Sequence, residues 1–553
     1  MKITRRTFVS GTVAAAAIPL RLLASPTHVL ELPGTPRAIP TADQLAWQDL
    51  EFGMFVHIAP NTWQNSEYDN LSTPLSEINA DFDTDNWAEC AVNLGARYIV
   101  FVAKHAGGFC MFQTATTPYS IGHTPWEHGH GDVLRNLSAS CKKYGLGLGI
   151  YLSPRDEYLG AGLGGVCKTP ALQEEYNAIY RTQLTEVLSR YGTMVEIWFD
   201  GSIVVPVADI LRKYAPHAAI FQGPCATVRW VGNEKGFAPY PLWNAESRAD
   251  AHSGVSTALD SDPSGGAWMP VECDVSIRRP HWFWSTTDLH NLMTLDQLLE
   301  VYYRSVGRGA QLLLNVPPNR NGHIAEEDFI RAKAFGTEIR RRFGRSEAET
   351  SGSGNTVTLH LARPTRVDHV ILQEDCRSGQ RVRRFRLEGR IGSHWVTLNT
   401  GSSIGHKRII PFTPHVCSGL RLLVTEAQGQ PYIGRFGAFN TGTAPPAGWD
   451  APTQMWAPNT AGEWSDFRFN IDLSKHITEA MQYRLRFVPE IGEVSSISDV
   501  QLLLNGAAEP DLVRHDSAAK NALILTMTGI GEKVVVSGKV AGAQSGIILI
   551  QKM

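Results

Sequence analysis

At 553 residues the chain is too long for one ordinary domain, and two to four are expected. Its net charge is −3 with both signs interspersed, so no polyanion-binding surface is implied, and no nucleic-acid-binding motif is present. The 14 tryptophans are compatible with stacking on sugar rings, though large barrels and sandwiches use as many in their cores.

The first 25 residues read as an export signal rather than as part of the fold. Thr4-Arg5-Arg6-Thr7-Phe8-Val9-Ser10 is a twin-arginine pattern, followed by an apolar run from Thr12 to Leu20 and then Leu22-Leu23-Ala24-Ser25. The run is too short to remain in a bilayer, and no Cys near its end would take a lipid. No other segment is long and apolar enough to span a membrane. The expected location is the periplasm or the exterior, reached by the twin-arginine route and without a membrane anchor.

From residue 40 to 345, strand-like and helix-like segments alternate. Strands are expected at Phe52–His57, Tyr98–Ala103, Leu146–Ser153, Val195–Asp200, Ala218–Gln222, Leu242–Glu246, Met269–Cys273 and Gln311–Val316. Helical patterns such as Thr84–Leu94, Val133–Tyr144, Ala171–Arg190, Ile210–Tyr214 and Leu295–Val306 lie between them. The alternation predicts a parallel (β/α)8-like TIM barrel. Asp81-Phe82-Asp83-Thr84-Asp85-Asn86 resembles the start of a calcium loop but lacks the Gly at position six and the Glu at position twelve, so it reads as a helix cap. Asn136-Leu137-Ser138 is a glycosylation sequon that falls inside a predicted helix. The final helix, Glu326–Phe343, ends in Arg340-Arg341-Arg342, read as a solvated basic face at a helix C-terminus.

Past a Ser/Gly/Glu-rich boundary at Ser346–Asn355 the hydrophobic period changes to two, which predicts a β-sandwich over 356–440. A second boundary, Thr441–Trp449, leads to a further β-rich sandwich over 447–553. The eight cysteines (Cys90, Cys110, Cys141, Cys167, Cys225, Cys273, Cys376 and Cys417) form no CxxC pair and no zinc-like cluster with His. Most read as buried thiols; Cys376 and Cys417 share the later domain and could pair.

The most informative stretch is Glu196-Ile197-Trp198-Phe199-Asp200-Gly201, an apolar strand that ends in a carboxylate and a turn-forming Gly. At the C-terminal end of a barrel strand such a carboxylate points into the active-site mouth. Flanked by Trp and Phe it suits attack on a sugar, with the aromatics stacking on the ring's apolar face. Read alone, Asp-Gly after an apolar run is equally an ordinary turn.

Several ordered blocks between residues 42 and 345 resemble glycoside hydrolase family 29, the retaining α-L-fucosidases. They are Phe52-Gly53-Met54-Phe55-Val56-His57, Glu67-Tyr68, Lys104-His105-Ala106-Gly107-Gly108-Phe109-Cys110, Gly149-Ile150-Tyr151-Leu152-Ser153-Pro154, Trp198-Phe199-Asp200-Gly201, Arg229-Trp230-Val231-Gly232-Asn233-Glu234, Trp268-Met269-Pro270-Val271-Glu272 with Ser276-Ile277-Arg278, Trp282-Phe283-Trp284, and Leu312-Leu313-Leu314-Asn315-Val316-Pro317-Pro318. The Arg229–Glu234 block resembles the acid/base loop of the subfamily that cleaves α-1,3 and α-1,4 fucosyl branches. The first sandwich resembles the discoidin-like modules appended to such enzymes.

The resemblance implies an exo-acting retaining enzyme. Asp200 would attack the anomeric carbon, and Glu234 would protonate the leaving oxygen and then activate water. His57, Glu67, His105, Tyr151 and Arg229 would bind sugar hydroxyls or steady a carboxylate. Trp198 and one of Trp282 or Trp284 would contact the C5-methyl of fucose. Glu246 and Glu272, also near strand ends, are reserve acids. No metal or organic cofactor is required, and the expected partner is a fucosylated oligosaccharide or glycoconjugate. Where many members have His-His-Asp, this chain has His105-Ala106-Gly107. That departure motivates a second reading, a glycosidase for another α-L-sugar such as L-galactose or L-glucose. The two sandwiches motivate a third, a non-catalytic carbohydrate-binding protein with a degenerate barrel.

Overall fold

The computed structural model describes residues 30–31, 38–443, 453–456, 466–473 and most of 477–552. The twin-arginine segment and residues 444–449 of the second expected boundary lie outside the described residues.

The first body is an eight-stranded parallel sheet. Its strands are β1 (Phe52–Val56), β2 (Tyr98–Lys104), β3 (Gly147–Leu152), β4 (Met194–Trp198), β5 (Ala219–Phe221), β6 (Arg229–Trp230), β7 (Val271–Ser276) and β8 (Gln311–Asn315). Spatial order runs β5-β4-β3-β2-β1-β8-β7-β6, and a bridge between Phe221 and Val228 spans the remaining gap, so the barrel is nearly closed. The strands read as unbroken apolar runs because both of their faces are covered. Along β2, Tyr98, Val100 and Val102 join Phe55, Tyr151, Trp198 and Leu313 inside the barrel. The alternate residues Ile99, Phe101 and Ala103 pack outward with Trp87, Leu94, Leu134 and Leu137 from the flanking helices. Gly53 makes room for one of the interior rings: a Cβ there would sit 2.4 Å from the Tyr98 ring.

The helices start where side-chain caps dictate. Asp83 accepts the backbone N–H of Asn86 at the head of Thr84–Leu94, so the acidic run at residues 81–86 is a cap. Asp132 caps Val133–Tyr144, Thr169 caps Pro170–Arg190, and Thr294 forms a capping box with Gln297 ahead of Leu295–Arg304.

The expected sixth strand is corrected. Ala245–Glu246 pairs antiparallel with Ala267–Trp268 in a small ribbon on the long β6–β7 connection. The barrel position belongs to β6, which is two residues long and therefore too short to show a period. Arg229 and Glu246 form the core of this excursion. The Arg229 guanidinium donates to Glu246 Oε2 (2.7 Å), the carbonyls of Trp243 (2.6 Å), Met269 (3.0 Å) and Thr257 (3.0 Å), and Ser261 Oγ (3.0 Å). Both members of the pair are essentially inaccessible.

After the barrel, strands Ala348–Ser353, Thr356–Glu374, Val382–Ile391, His394–Gly401, Arg408–Ala427 and Tyr432–Phe439, with Leu30–Glu31 added in parallel, form one seven-stranded sheet. Register breaks between His360 and Thr365 and between Val367 and His369 let the two longest strands bend, and the sheet folds around Leu359, Val370, Leu387, Leu422 and Phe436. A third body stacks a five-stranded and a four-stranded sheet around residues such as Phe469, Leu485, Leu502, Leu525 and Val536. Cys376 and Cys417 are both free and buried, so the suggested pairing is not present. Cys376 packs with Ala38, Ala245 and Trp268, whereas Cys417 lies in the core of the second body.

The joint between barrel and second body is apolar and tight, with Ile371, Ile409 and Phe439 sharing the barrel's outer core. The basic run ending the last helix is not a wholly solvated face. Arg342 is 8% exposed and donates to Tyr303 Oη, while Arg341 reaches the carbonyl of Thr441. Among the described residues no helix is long and apolar enough to cross a membrane.

Replacing Arg229 would strand a buried carboxylate. Arg229→Met is expected to cost about 3–5 kcal/mol of barrel stability in urea unfolding. An unchanged midpoint would show that the pair does not organise the excursion.

Candidate active site

A closed parallel barrel carries the ends of all its strands to one face. Here that face opens into a cavity of about 870 Å³. His57 follows β1, His105 follows β2, Tyr151 lies on β3 and Ser153 follows it, Trp198 ends β4 and Asp200 lies just past it, Glu234 follows β6, and Asp274 lies on β7. Glu67 and Trp282 reach the same cavity from connecting loops.

Asp200 sits at the mouth, two residues beyond the end of β4. Gly201 follows with φ 74°, a left-handed conformation that Gly adopts without strain. The Tyr151 hydroxyl donates to Asp200 Oδ2 at 3.0 Å. Crowding by the surrounding protein raises the Asp200 pKa; the Tyr151 and Gly201 donors and the charge of Arg155 oppose this.

Glu234 occupies a tight turn. Asn233 Oδ1 accepts the Lys235 N–H at 3.0 Å, and Asn233 Nδ2 donates to the Phe237 carbonyl at 2.9 Å. Arg279 Nη1 and the Trp282 indole N–H, the latter at 3.3 Å, both donate to Glu234 Oε2. Glu67 accepts the Trp282 backbone N–H at 3.0 Å and faces His281 Nδ1 at 3.2 Å. Burial raises the Glu67 pKa.

Burial favours the neutral form of both histidines. Burial, and then the neighbouring His105, push the His57 pKa well below its usual value, and burial lowers His105 to about 4. The His57 tautomer follows from its partner. Asn315 Nδ2 donates to Ser276 Oγ (3.0 Å) and to the Trp282 carbonyl (2.8 Å), so Asn315 Oδ1 faces His57 Nδ1 as an acceptor at 2.8 Å. Nδ1 must carry the proton, which leaves Nε2 as an acceptor. The His105 ring stacks on Tyr151 with 18° between planes. Trp198 stacks on Phe221 at 3.5 Å and donates its indole N–H to Glu196 Oε1 at 3.1 Å.

Of the sequence-derived candidates, His57, Glu67, His105, Tyr151, Trp198, Asp200, Glu234 and Trp282 all line this cavity. Arg229 does not: its guanidinium is spent inside the β6–β7 excursion, so its assignment to substrate is corrected. The reserve acids are also elsewhere. Glu246 is the partner of Arg229, and Glu272 lies beneath the site, where the Tyr98 hydroxyl reaches it at 3.4 Å. Burial and the neighbouring Glu196 raise the Glu272 pKa far above the carboxylate range. Of the two alternative tryptophans, Trp282 rather than Trp284 lines the cavity.

Asp69, Arg155, Asp274 and Arg279 line the cavity without having been singled out in the sequence. Asp274 follows Glu272 at strand period, a signal that would have found it. Asp69 and Arg279 carry no local signal, because loops bring them in. Asp69 Oδ2 would lie 2.4 Å from a Cβ at position 107, so the Asp69 carboxylate occupies the space beside the altered His105-Ala106-Gly107 block. It accepts hydrogen bonds from Tyr119 Oη (2.7 Å), Gln64 Nε2 (2.8 Å) and the Leu71 N–H (2.8 Å). Among the described residues no group of three or more His, Cys, Asp or Glu is arranged to hold a metal ion.

The family model described as alpha-L-fucosidase matches residues 61–341. Alpha-L-fucosidase 1 of Arabidopsis thaliana is 32% identical over 452 residues, covering 72% of this chain and 87% of that protein. A structure from Bacteroides thetaiotaomicron assigned to the α-L-fucosidases is 31% identical with a TM-score of 0.69, covering 73% of this chain and 99% of that one. A Ruminococcus gnavus GH29 fucosidase, as a point variant in complex with fucose, is 25% identical with a TM-score of 0.66, covering 75% and 97% of the two chains. With a barrel-mouth carboxylate, a second acid in the same cavity and a family match across the barrel, the chain belongs to the α-L-fucosidases of glycoside hydrolase family 29 and is a glycoside hydrolase.

Proposed function

We propose that the protein is an exo-acting, retaining α-L-fucosidase that removes α-1,3- and α-1,4-linked fucose from glycans. The observation that carries the reading is Asp200 at the end of β4, held by the Tyr151 hydroxyl and sharing its cavity with Glu234. Asp200 attacks the anomeric carbon, forming a glycosyl–enzyme ester as the glycosidic bond breaks. Glu234 delivers a proton to the departing oxygen, then takes one from the water that hydrolyses the ester. Neutral His57 and His105 accept or share hydrogen bonds with ring hydroxyls, and Trp198, Phe55 and Trp282 supply an apolar wall for the C5-methyl. The bound fucose of the Ruminococcus gnavus relative supports the choice of sugar. Asp69 supports it too, by placing an acceptor beside the altered His105-Ala106-Gly107 block. The linkage rests on the form of the Arg229–Glu234 block; Tyr68, Leu71 and Leu163 stand exposed at the cavity rim, where a leaving group would lie. The twin-arginine leader would deliver the enzyme to glycans outside the cytoplasm.

Asp200→Ala is expected to abolish turnover, and a 2-fluoro-fucosyl reagent should esterify the peptide containing Asp200. Labelling of another peptide, or an anomerically inverted product, would sink this mechanism. Glu234→Ala should lower kcat/KM for a fucosylated oligosaccharide about 10²–10⁴-fold while sparing kcat/KM for an activated aryl fucoside, whose leaving group needs no proton. Added azide, entering from the face that Glu234 vacates, should speed release of the glycosyl–enzyme and yield an α-fucosyl azide.

The pH profile tests the setting of Asp200. Catalysis needs its ionised form, so kcat/KM should fall on the acid side as Asp200 protonates. Its raised pKa places that limb above the ordinary aspartate range. The Tyr151 hydroxyl favours the carboxylate, so Tyr151→Phe should move the limb to still higher pH. A limb that stays in place in Tyr151→Phe would show that another group governs it.

A further inference from the structure

We infer that the second body, the β-sheet domain over residues 348–439, is a positioning element of the active site that holds the acid/base turn through the β6–β7 excursion. The inference rests on the assignment of Glu234 as acid/base. Glu234 is not on a barrel strand; it sits near the start of a connection that leaves β6 at Trp230 and returns at Val271. A connection of that length does not define the position of a side chain by itself. On its inner side the barrel holds it by Ala238, whose N–H donates to the Arg304 carbonyl (2.9 Å) and whose carbonyl accepts from Arg308.

On its outer side the next residues are gripped by the second body. The Tyr240 hydroxyl accepts the Ser402 N–H at 2.9 Å, and the Arg408 guanidinium lies over the Tyr240 ring at 3.8 Å. The Gln380 amide clamps two backbone groups: its Nε2 donates to the Leu242 carbonyl (3.2 Å), and its Oε1 accepts the Asn244 N–H (3.3 Å). Arg383 packs over the Trp243 ring at 4.7 Å and donates to the Pro263 carbonyl at 2.8 Å. Gln380, Arg383 and Arg408 are all buried. Buried amide and guanidinium groups aimed at backbone carbonyls define geometry more than they add stability, since each partner would otherwise be left unsatisfied.

The mechanical path is short. Tyr240 lies six residues from Glu234, and the intervening turn is stiffened by Asn233 and by Phe237 packed under Arg304. Asp200 has no such dependence, because it stands directly after β4. Loosening the second body's grip should therefore impair proton delivery and leave nucleophilic attack intact.

The test compares Gln380→Ala and Arg408→Ala with wild type on a fucosylated oligosaccharide and on an activated aryl α-L-fucoside. A displacement of about an ångström at the acid should lower kcat/KM on the oligosaccharide about 10- to 100-fold, with less than about a 3-fold change in kcat/KM on the aryl substrate, because kcat/KM reports the step that forms the glycosyl–enzyme. Arg408→Lys, which keeps a cation over the Tyr240 ring, should recover part of the loss. In a Glu234→Ala background neither change should cost anything further on the oligosaccharide. Tyr240→Phe removes only the hydroxyl and should show the same leaving-group signature at smaller size. Equal losses of kcat/KM on both substrates would overturn the inference. So would wild-type behaviour of all variants, or failure of the alanine variants to fold together with wild-type kinetics in Tyr240→Phe. If Glu234→Ala itself shows no leaving-group dependence, the acid/base assignment fails instead, and the two failures are distinct.

Discussion

The constraint on which the rest depends is the polarity of a parallel barrel. Every strand points the same way, so every strand ends at the same mouth, and residues far apart in sequence meet there without long loops to gather them. His57, His105, Tyr151 and Asp200 are spread over four strands, yet they need only the last inward position of each strand or the residue or two beyond it. Their precision comes from the sheet, which is rigid because its interior is filled by Phe55, Tyr98, Val100, Tyr151 and Trp198 and its exterior is sealed by helices.

The same geometry explains why acids of similar sequence context have different fates. Along β4, Glu196, Trp198 and Asp200 alternate with outward residues. At about 3.3 Å per residue, Glu196 lies roughly 13 Å below Asp200 along the strand direction. Two turns of the pleat separate a carboxylate at the mouth from one enclosed with Glu272, Tyr98 and the Trp198 indole, where burial raises the pKa of both glutamates. Asp274 and Glu272 repeat the pattern on β7, with Asp274 reaching the cavity and Glu272 beneath it. Acid type and strand position do not distinguish these residues in the sequence; depth along the barrel axis does.

That difference in depth marks the boundary of what is legible in the sequence. Periodicity and caps locate the barrel helices to within a residue or two in most cases, because an apolar stripe and a side-chain cap are local signals. Most barrel strands read clearly for the same reason. The failures fall where the outcome is set by something other than a local pattern. β6 is too short for a period, so the apolar segment at Leu242–Glu246 reads as a strand in its place. Arg229 lies in the block that carries Glu234, yet its side chain turns away to Glu246 and three carbonyls, which no local pattern encodes. Asp69 and Arg279 enter the cavity only through loop packing, and the burial of Arg342 depends on a second body docking on the barrel.

The two carboxylates of the proposed mechanism differ in how they are held, and the difference suits their tasks. A nucleophile must meet one carbon at one angle, and Asp200 stands on the stiffest element available, just past a buried strand, with a phenol donating to it. A general acid/base must act on two different oxygens in succession, the leaving group and then water, and has to tolerate a small change of pose between the two steps. Glu234 lies on a turn, held by side chains rather than by a sheet. Arg279 and Trp282 fix its carboxylate from the cavity side, Asn233 fixes the turn, and the second body secures the connection behind it. A barrel alone would supply the first carboxylate with high accuracy and the second with much less. The extensive buried contact between barrel and second body, polar at Gln380 and Arg383 and apolar at Ile371, Ile409 and Phe439, is the physical means by which the less constrained half of the site acquires a defined position.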